Sequence, residues 1–445
     1  MASRESADAP ATSSASRVCP FEDGAPAENE LARELFGEAG SFDARLGQHV
    51  ATYVGWAVEP DYRARGSSGG VASWLLVELL RLKVVDHVMH VAADPLPRAG
   101  QPLYRFTISS SPEEVRSGAK SRYYPVEMSG AMAEMLRRPG RYAVVGVPCF
   151  IKALRLACRE SAVLKERLTV AVGIVCGHLK STAFGEMLAW QCGLSPAELR
   201  AIDFRTKLPG RPASNYAVTV TGERGGRGFS TTRPVAELFG SNWGLGFFRY
   251  KACDFCDDVV AETADITLGD AWLPEYESDS KGTNVIIVRS RTVDSILARA
   301  REEGRLHLEP ISADKVVQSQ AGGFRHRRDG LAYRLAIEDE HGRWRPAKRV
   351  TPSKAHLSRK LRRIHDLRQE LRDASHVAFA RARQRDDFDE FLRSMRPLTR
   401  RYLRHYETPR LHRALGNLKR NVASLCRRLS GQGYRQPLAC PVTKP

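Results

Sequence analysis

Four cysteines stand where thiol chemistry can be built. Cys253 and Cys256 lie three apart in RYKACDFCDDVVAETADITLGDAW, Cys149 in VVGVPCFIKAL and Cys176 in AVGIVCGHL. A thiol pair at that spacing can share a metal, close a redox disulfide or sit as buried neighbours. CDFC does not open a helix beside a βαβ pattern, as a thioredoxin-type pair does. Structural zinc usually draws on two CxxC-like pairs, whereas two of these four cysteines are singletons. A 4Fe-4S cluster tolerates scattered spacings. Cys149 falls at an expected helix start, where free N–H groups and the helix dipole favour thiolate. Cys176 falls at the carboxyl end of the next expected strand. Neighbouring carboxyl ends in a parallel sheet share one edge, so the two singletons can converge and the CxxC can complete a four-thiolate site. Spacing alone leaves cluster, zinc and buried thiols all open. Cys158, Cys192, Cys426 and Cys440 read as bystanders.

The elements that would position these thiols alternate. HVATYVGWAV has strand character, RARGSSGGVASWLLVELLRL a Gly/Ser turn and a helix, and VVDHVMHVAAD a strand. RYAVVGV, PCFIKALRLACRE and LTVAVGIV repeat the order, and STAFGEMLAWQCG is a helix closed by Gly193. Such alternation predicts an α/β fold with a mostly parallel sheet and flanking helices. Residues 201–250, rich in Gly, Thr and Arg, predict a smaller mixed β region. DITLGD and TNVIIVRS add strands, TVDSILARAREEG a helix. From Pro346 the chain turns Arg-rich with helical periodicity, with Pro397 and Pro409 as breaks. The expected organisation is a flexible leader over 1–44, an α/β region over 45–140, a second over 141–345, and a basic helical appendage over 346–445.

Net charge is +18 over 445 residues, but from Thr351 onward 23 Lys/Arg face 8 Asp/Glu. The body is close to neutral, so the basicity belongs to the tail. Helices that cover apolar surface of the body with solvated arginines are the plainer reading, and docking on an acidic partner protein or an anionic membrane face is the functional one. The charge does not argue for nucleic acid, since no binding motif accompanies it. No apolar run is long enough to span a bilayer, and the polar N-terminus is no secretory signal. With nine cysteines at no regular spacing, a reducing, cytoplasmic location is expected.

The turn GSSGG, residues 66–70, precedes a helix. Glycines let backbone approach a phosphate, and a helix start offers N–H donors. A Ser/Gly-rich helix cap is the plainer reading. No GxGxxG or GxxxxGK[ST] fingerprint accompanies it.

Several segments together resemble one family. GVPCFIKALR resembles the GTPCQxxAL segment of the coenzyme F-420 hydrogenase and dehydrogenase beta-subunit family. CDFCDDVVAETADITLGDAW resembles its CxxCxDxxAxxADIxxGD block, RGSSGGVASWLLVELL its SGG-plus-helix segment, and GAKSRYYP its SKY segment. The resemblance spans residues 45–300 in the family's order. It implies an FAD and iron–sulfur oxidoreductase subunit, with one 4Fe-4S cluster on Cys149, Cys176, Cys253 and Cys256. It further implies a flavin pocket lined by Ser67, Ser68, Gly69, Gly70, Lys120 and Ser121, with Lys120 as a point cation for pyrophosphate. Asn284 is a further candidate, as an amide for ring or ribose, against a plainer role capping a turn. Many members begin with a cysteine-rich ferredoxin-like stretch. Here only VCPF, with Cys19, remains, so a second cluster is not expected.

The expected function is passage of electrons between an external carrier, an electron-donor protein or a deazaflavin coenzyme, and a substrate through FAD. The alternative is a non-catalytic metal-bearing scaffold that docks partners through its tail. No acid–base pair stands out; His87, His90 and His178 are lone candidates.

Overall fold

Runs of Val, Ile and Leu bounded by turn residues build the strands, and the continuous apolar run NVIIV marks the most buried of them. The structure, a computed structural model, describes residues 14–37, 40–94 and 101–406. In chain order the strands are β1 (Ser41–Asp43), β2 (Gly47–His49), β3 (Ala51–Ala57), β4 (His87–Ala93), β5 (Tyr104–Ser109), β6 (Tyr142–Gly146) and β7 (Leu168–Ile174). They continue as β8 (Leu199–Thr206), β9 (Ala217–Arg224), β10 (Arg227–Pro234), β11 (Ile266–Asp270), β12 (Asn284–Val288) and β13 (Leu306–Pro310).

Eight strands form one sheet in the order β13-β3-β12-β11-β7-β6-β4-β5. Four consecutive strands, β11, β7, β6 and β4, run parallel; β12, β3, β13 and β5 are antiparallel to their neighbours. The α/β expectation is met, with the parallel part confined to these strands of a mixed sheet. Strands from residues 45–140 and 141–345 share this sheet. A separate antiparallel sheet, β10-β9-β8, is the smaller β region.

Register brings the candidate segments to one edge. Gly146 pairs with Gly173, Ile174 with Leu268, Asp270 with Asn284, and Asn284 with Gly55. The ends of β6, β7, β11 and β3 therefore lie together with the start of β12. Cys149, Cys176 and the Ser67–Gly70 turn all follow strands ending there. That is the crevice edge of an open α/β sheet.

The basic tail is not uniformly helical from Pro346. Residues 343–358 are irregular, and helices run over Arg359–Arg385 and Phe388–Leu403. Pro397 lies inside the second helix rather than breaking it. Proline removes one helical donor and crowds the preceding turn. Buried Phe391, Met395 and Tyr402 on the same helix hold it against the body. Both helices enter an apolar core with the helix Thr182–Gln191 and the β8–β10 sheet, including Phe184, Phe204, Phe248, Phe379 and Phe391. This packing matches the reading in which the tail helices cover apolar surface of the body. Pro409, Cys426, Cys440 and the tail segment HRALGNLKRNVASLCRRL lie outside the described residues, as do residues 1–13 and 38–39 of the leader, whose described part holds the helix Glu28–Phe36.

Phe391→Ala, which empties a site ringed by Phe247, Phe248 and Phe379, is expected to cost about 3–5 kcal/mol in chemical denaturation. Deletion from Arg359 onward is expected to leave insoluble protein, scored as the soluble fraction after lysis.

Candidate functional site

Pro148 and Cys149 open the helix Pro148–Glu160 directly after β6. Cys176 lies just past β7, its N–H donating to the Val259 carbonyl at 3.1 Å. Cys253 sits in the short 3-10 helix Lys251–Phe255, and Leu179 N–H donates to its Sγ at 3.3 Å. Cys256 follows. All four are free. They share one low-dielectric space: burial pushes the Cys149 thiol well up, and the charges of Cys256, Cys176 and Cys253 push it further. Burial likewise raises Cys176, and carries Cys256 up to about 12. Arg327 opposes all three shifts. Its guanidinium donates to Cys256 Sγ at 2.6 Å and to Cys176 Sγ at 3.3 Å. Among the described residues no three His, Cys, Asp or Glu side chains sit closely enough to hold a single metal ion.

The loop from Cys256 to Asp265 is almost wholly buried and carries four carboxylates. Asp257 pairs with Lys348 at 2.9 Å and Arg349 at 2.8 Å; Glu262 pairs with Arg349 at 2.5 Å and Arg328 at 3.1 Å. Asp258 accepts from the N–H groups of Val260 and Glu262, both at 2.9 Å. Burial, and then the charge of Glu262, raise its carboxyl. Asp265 accepts from Ala171 N–H at 2.7 Å and Arg155 at 2.8 Å, tying the loop to β7. Gly173 makes room for it, since a Cβ there would lie 2.5 Å from Ala261 and 2.9 Å from Ala264.

The Ser/Gly turn and the Lys120–Ser121 segment do meet: Ser121 N–H donates to Ser67 Oγ at 2.7 Å. Ser68 is buried and donates to Thr283 O at 2.8 Å. Gly70 has φ +81° at the cap of the helix Val71–Arg81. Gly69 is required by packing of the turn on the sheet, because a Cβ there would stand 2.6 Å from the Gly55 carbonyl. Asn284 accepts from Val71 N–H at 3.2 Å and donates to Gly269 O at 2.9 Å, so its amide caps the helix from a distance. Lys120 is paired with Asp203 at 3.0 Å.

Two cations beside this turn were not anticipated. Arg205, from β8, binds Asp270 through both Nη atoms at 3.0 and 2.9 Å and reaches Ser67 O at 3.2 Å. Lys207 donates to the carbonyls of Ser68, at 2.9 Å, Lys281 and Arg63. Burial, then the like charges of Lys120, Arg63 and Arg205, push Lys207 down to about 7. Their signal in the sequence was only two basic residues in FRTKLPG. Arg327 was equally hidden in the basic run FRHRRDG. His87 and His90 bond to Ser110 and Ser109 away from the thiols, whereas His178 follows Cys176 closely.

Comparison with known proteins adds to this geometry. The profile described as coenzyme F-420 hydrogenase/dehydrogenase, beta subunit N-term matches residues 52–133, and its C-terminus counterpart matches residues 140–314. The chain is 24% identical over 299 residues to one of the subunits of F(420)H(2) dehydrogenase in Methanosarcina mazei, over 66% of this chain and 71% of that protein. It is 21% identical over 276 residues to the coenzyme F-420 hydrogenase subunit beta of Methanothermobacter thermautotrophicus, over 61% of this chain and 88% of that one. A chain of the xenon-derivatised F-420-reducing NiFe hydrogenase complex from Methanosarcina barkeri superposes with TM-score 0.51 at 18% identity, covering 70% of this chain and 99% of that chain. That last likeness bears on the fold.

Gly69→Ala is expected to lower the melting temperature even in protein stripped of every ligand, because the clash is with backbone. An unchanged melt of the ligand-free variant would contradict the packing role.

Proposed function

The chain belongs to the coenzyme F-420 hydrogenase/dehydrogenase beta-subunit family, of oxidoreductase type, and on that premise we propose that it holds one 4Fe-4S cluster and one FAD. The observation that carries this reading is the sharing of one sheet edge by four free thiols and a cation-rich Ser/Gly turn. The donor set fits the cluster. Four free thiols that act on one another's charge, with a guanidinium against two of them, can supply the four cysteine sulfurs a 4Fe-4S cluster takes. Cys149, Cys176, Cys253 and Cys256 would hold it, releasing their thiol protons as they bind iron. Arg327 offsets the charge of the thiolates.

Ser67, Ser68, Gly70, Lys120 and Ser121, with Lys207 and Arg205, would line the phosphate end of the flavin. Gly69 and Asn284 would shape that turn from behind, since their contacts are to the sheet. When bound, such cofactors exchange single electrons for hydride-level chemistry. The chain's own part is to place them on one edge, exclude water from the thiols and meet their negative charge. An external carrier, an electron-donor protein or a deazaflavin coenzyme, would supply electrons. We place the protein in the cytoplasm, and among the described residues no helix is long and apolar enough to cross a membrane. Exposed arginines of the two tail helices keep an acidic partner protein or an anionic membrane face as the docking class.

Anaerobically purified protein is expected to be brown, with releasable flavin. Serine at any of Cys149, Cys176, Cys253 or Cys256 should cut the iron content, while serine at Cys158 or Cys192 should not; full iron in Cys176→Ser would sink the ligand set. Flavin affinity carries a pH signature. Lys207 is cationic below about 7 and neutral above it, so attraction for phosphate is present at lower pH and fades as pH rises through that value. FAD dissociation measured by fluorescence should rise across this range, and Lys207→Gln should flatten the profile.

A further inference from the structure

On the Cys253 side of the thiols stands a second group of buried bases with too few acids to match. Lys180 and Arg249 face each other across an antiparallel bridge, each only 1% exposed. Lys180 donates to Phe247 O at 2.7 Å, and its ammonium lies 4.5 Å from the Phe184 ring centre and 5.0 Å from that of Trp243. His178 lies against Trp243 with ring centres 4.7 Å apart. His326 comes from the π-helical turn Arg325–Asp329, held by Arg334, which donates to His326 O at 3.1 Å and Asp254 O at 2.9 Å. Arg368 enters from the helix Arg359–Arg385. Asp254 is the carboxylate in their midst, paired with Arg249 at 2.5 Å and also bound by Arg372.

Several donors here have nothing to bind. Arg249 Nε and Nη1, Arg368 Nε, His178 Nε2 and His326 Nε2 are buried without a hydrogen-bond partner. A buried polar group left unpaired costs about 1–3 kcal/mol. Burial, and then the charge of Arg372, lower Arg249 to about 10; burial, and then the charge of Arg249, lower Arg368 to about 10. Five basic residues, Lys180, Arg249, Arg334, Arg368 and Arg372, thus gather about Asp254, with Asp373 binding Arg372 from the far side, beside unused donors. Surplus charge in an interior is relieved by loss of a proton or by an anion that joins it, and the orphaned nitrogens speak for an anion.

We propose that Arg249, Arg368, His178 and His326 bind a small oxyanion, the carboxylate or phosphate group of the substrate. This deepens the oxidoreductase reading by naming an anionic substrate. Trp243 forms one wall of the group and meets Tyr123 edge-on, with ring centres 4.8 Å apart. Tyr123 in turn accepts from Arg205 of the flavin edge at 3.0 Å. The anionic group sits among these bases, and the Trp243–Tyr123–Arg205 contacts lead from it toward the flavin edge.

Equilibrium dialysis of the anaerobically purified full chain against radiolabelled inorganic phosphate tests this, with iron and flavin counted in each sample. One saturable site per chain is expected. Arg368→Gln and His326→Asn should each weaken it about tenfold or more while iron stays full. Arg249→Gln is the more direct variant; should it not fold, the half-buried Arg368 still decides. No saturable phosphate in iron-replete protein overturns the proposal, and so does equal affinity in both variants. A shifted cluster potential in these variants without phosphate binding would assign the bases to the cluster alone. Phosphate bound by protein that lacks iron and flavin would instead defeat the cofactor reading and leave the anion site standing.

Discussion

Charge in a dry interior must be answered by charge, and this constraint organises the molecule. The loop that carries Cys256 buries Asp257 and Glu262 completely, and neither can stay ionised there without a cation against it. Lys348, Arg349 and Arg328 supply that charge from far along the chain. Arg289 adds hydrogen bonds to the carbonyls of Leu46, Val260 and Ala264. The cysteine loop is therefore held in place by residues 289–349 rather than by its own propensity. A proposed boundary at 345/346 would cut between these straps, which makes the irregular segment 343–358 part of the site's frame.

The second organising element is register. A slip of one residue between β11 and β12 would move Asp270 off Asn284 and turn alternate side chains to the other face. Asp270 anchors Arg205, and Asn284 anchors the helix after the Ser/Gly turn. The pairing of two central strands thus sets the distance between turn and thiols. Arg205 joins the small antiparallel sheet to the same edge, and a core of phenylalanines, mostly edge to face, joins the tail helices to that small sheet.

Much of this was legible because it depends on local pattern. Apolar runs gave the strands, the Gly/Ser turn gave the helix start, and the position of Cys149 and Cys176 at strand ends gave their convergence. What escaped depends on long-range pairing. Nothing near Gly69 announces the carbonyl of Gly55 beneath it, and nothing near Asn284 announces that both ends of its amide serve backbone. Pro397 reads as a helix end because local sterics say so, yet apolar burial along the same helix outweighs them. Arg205, Lys207 and Arg327 looked like ordinary surface bases, since burial of a guanidinium is decided by partners that arrive from elsewhere in the chain.

The turn Arg325–Asp329 is wound one residue wider than an α-helix, a form that often occurs at functional sites. His326 and Arg327, consecutive on this turn, are both buried, although neighbouring side chains on a helix point well apart. One borders the bases around Arg249 and the other touches two thiols. The same peptide bond is thus a lever with an arm in each compartment. Along the chain nothing but that bond separates the bases around Arg249 from the thiols, so one short turn must suit both neighbourhoods at once.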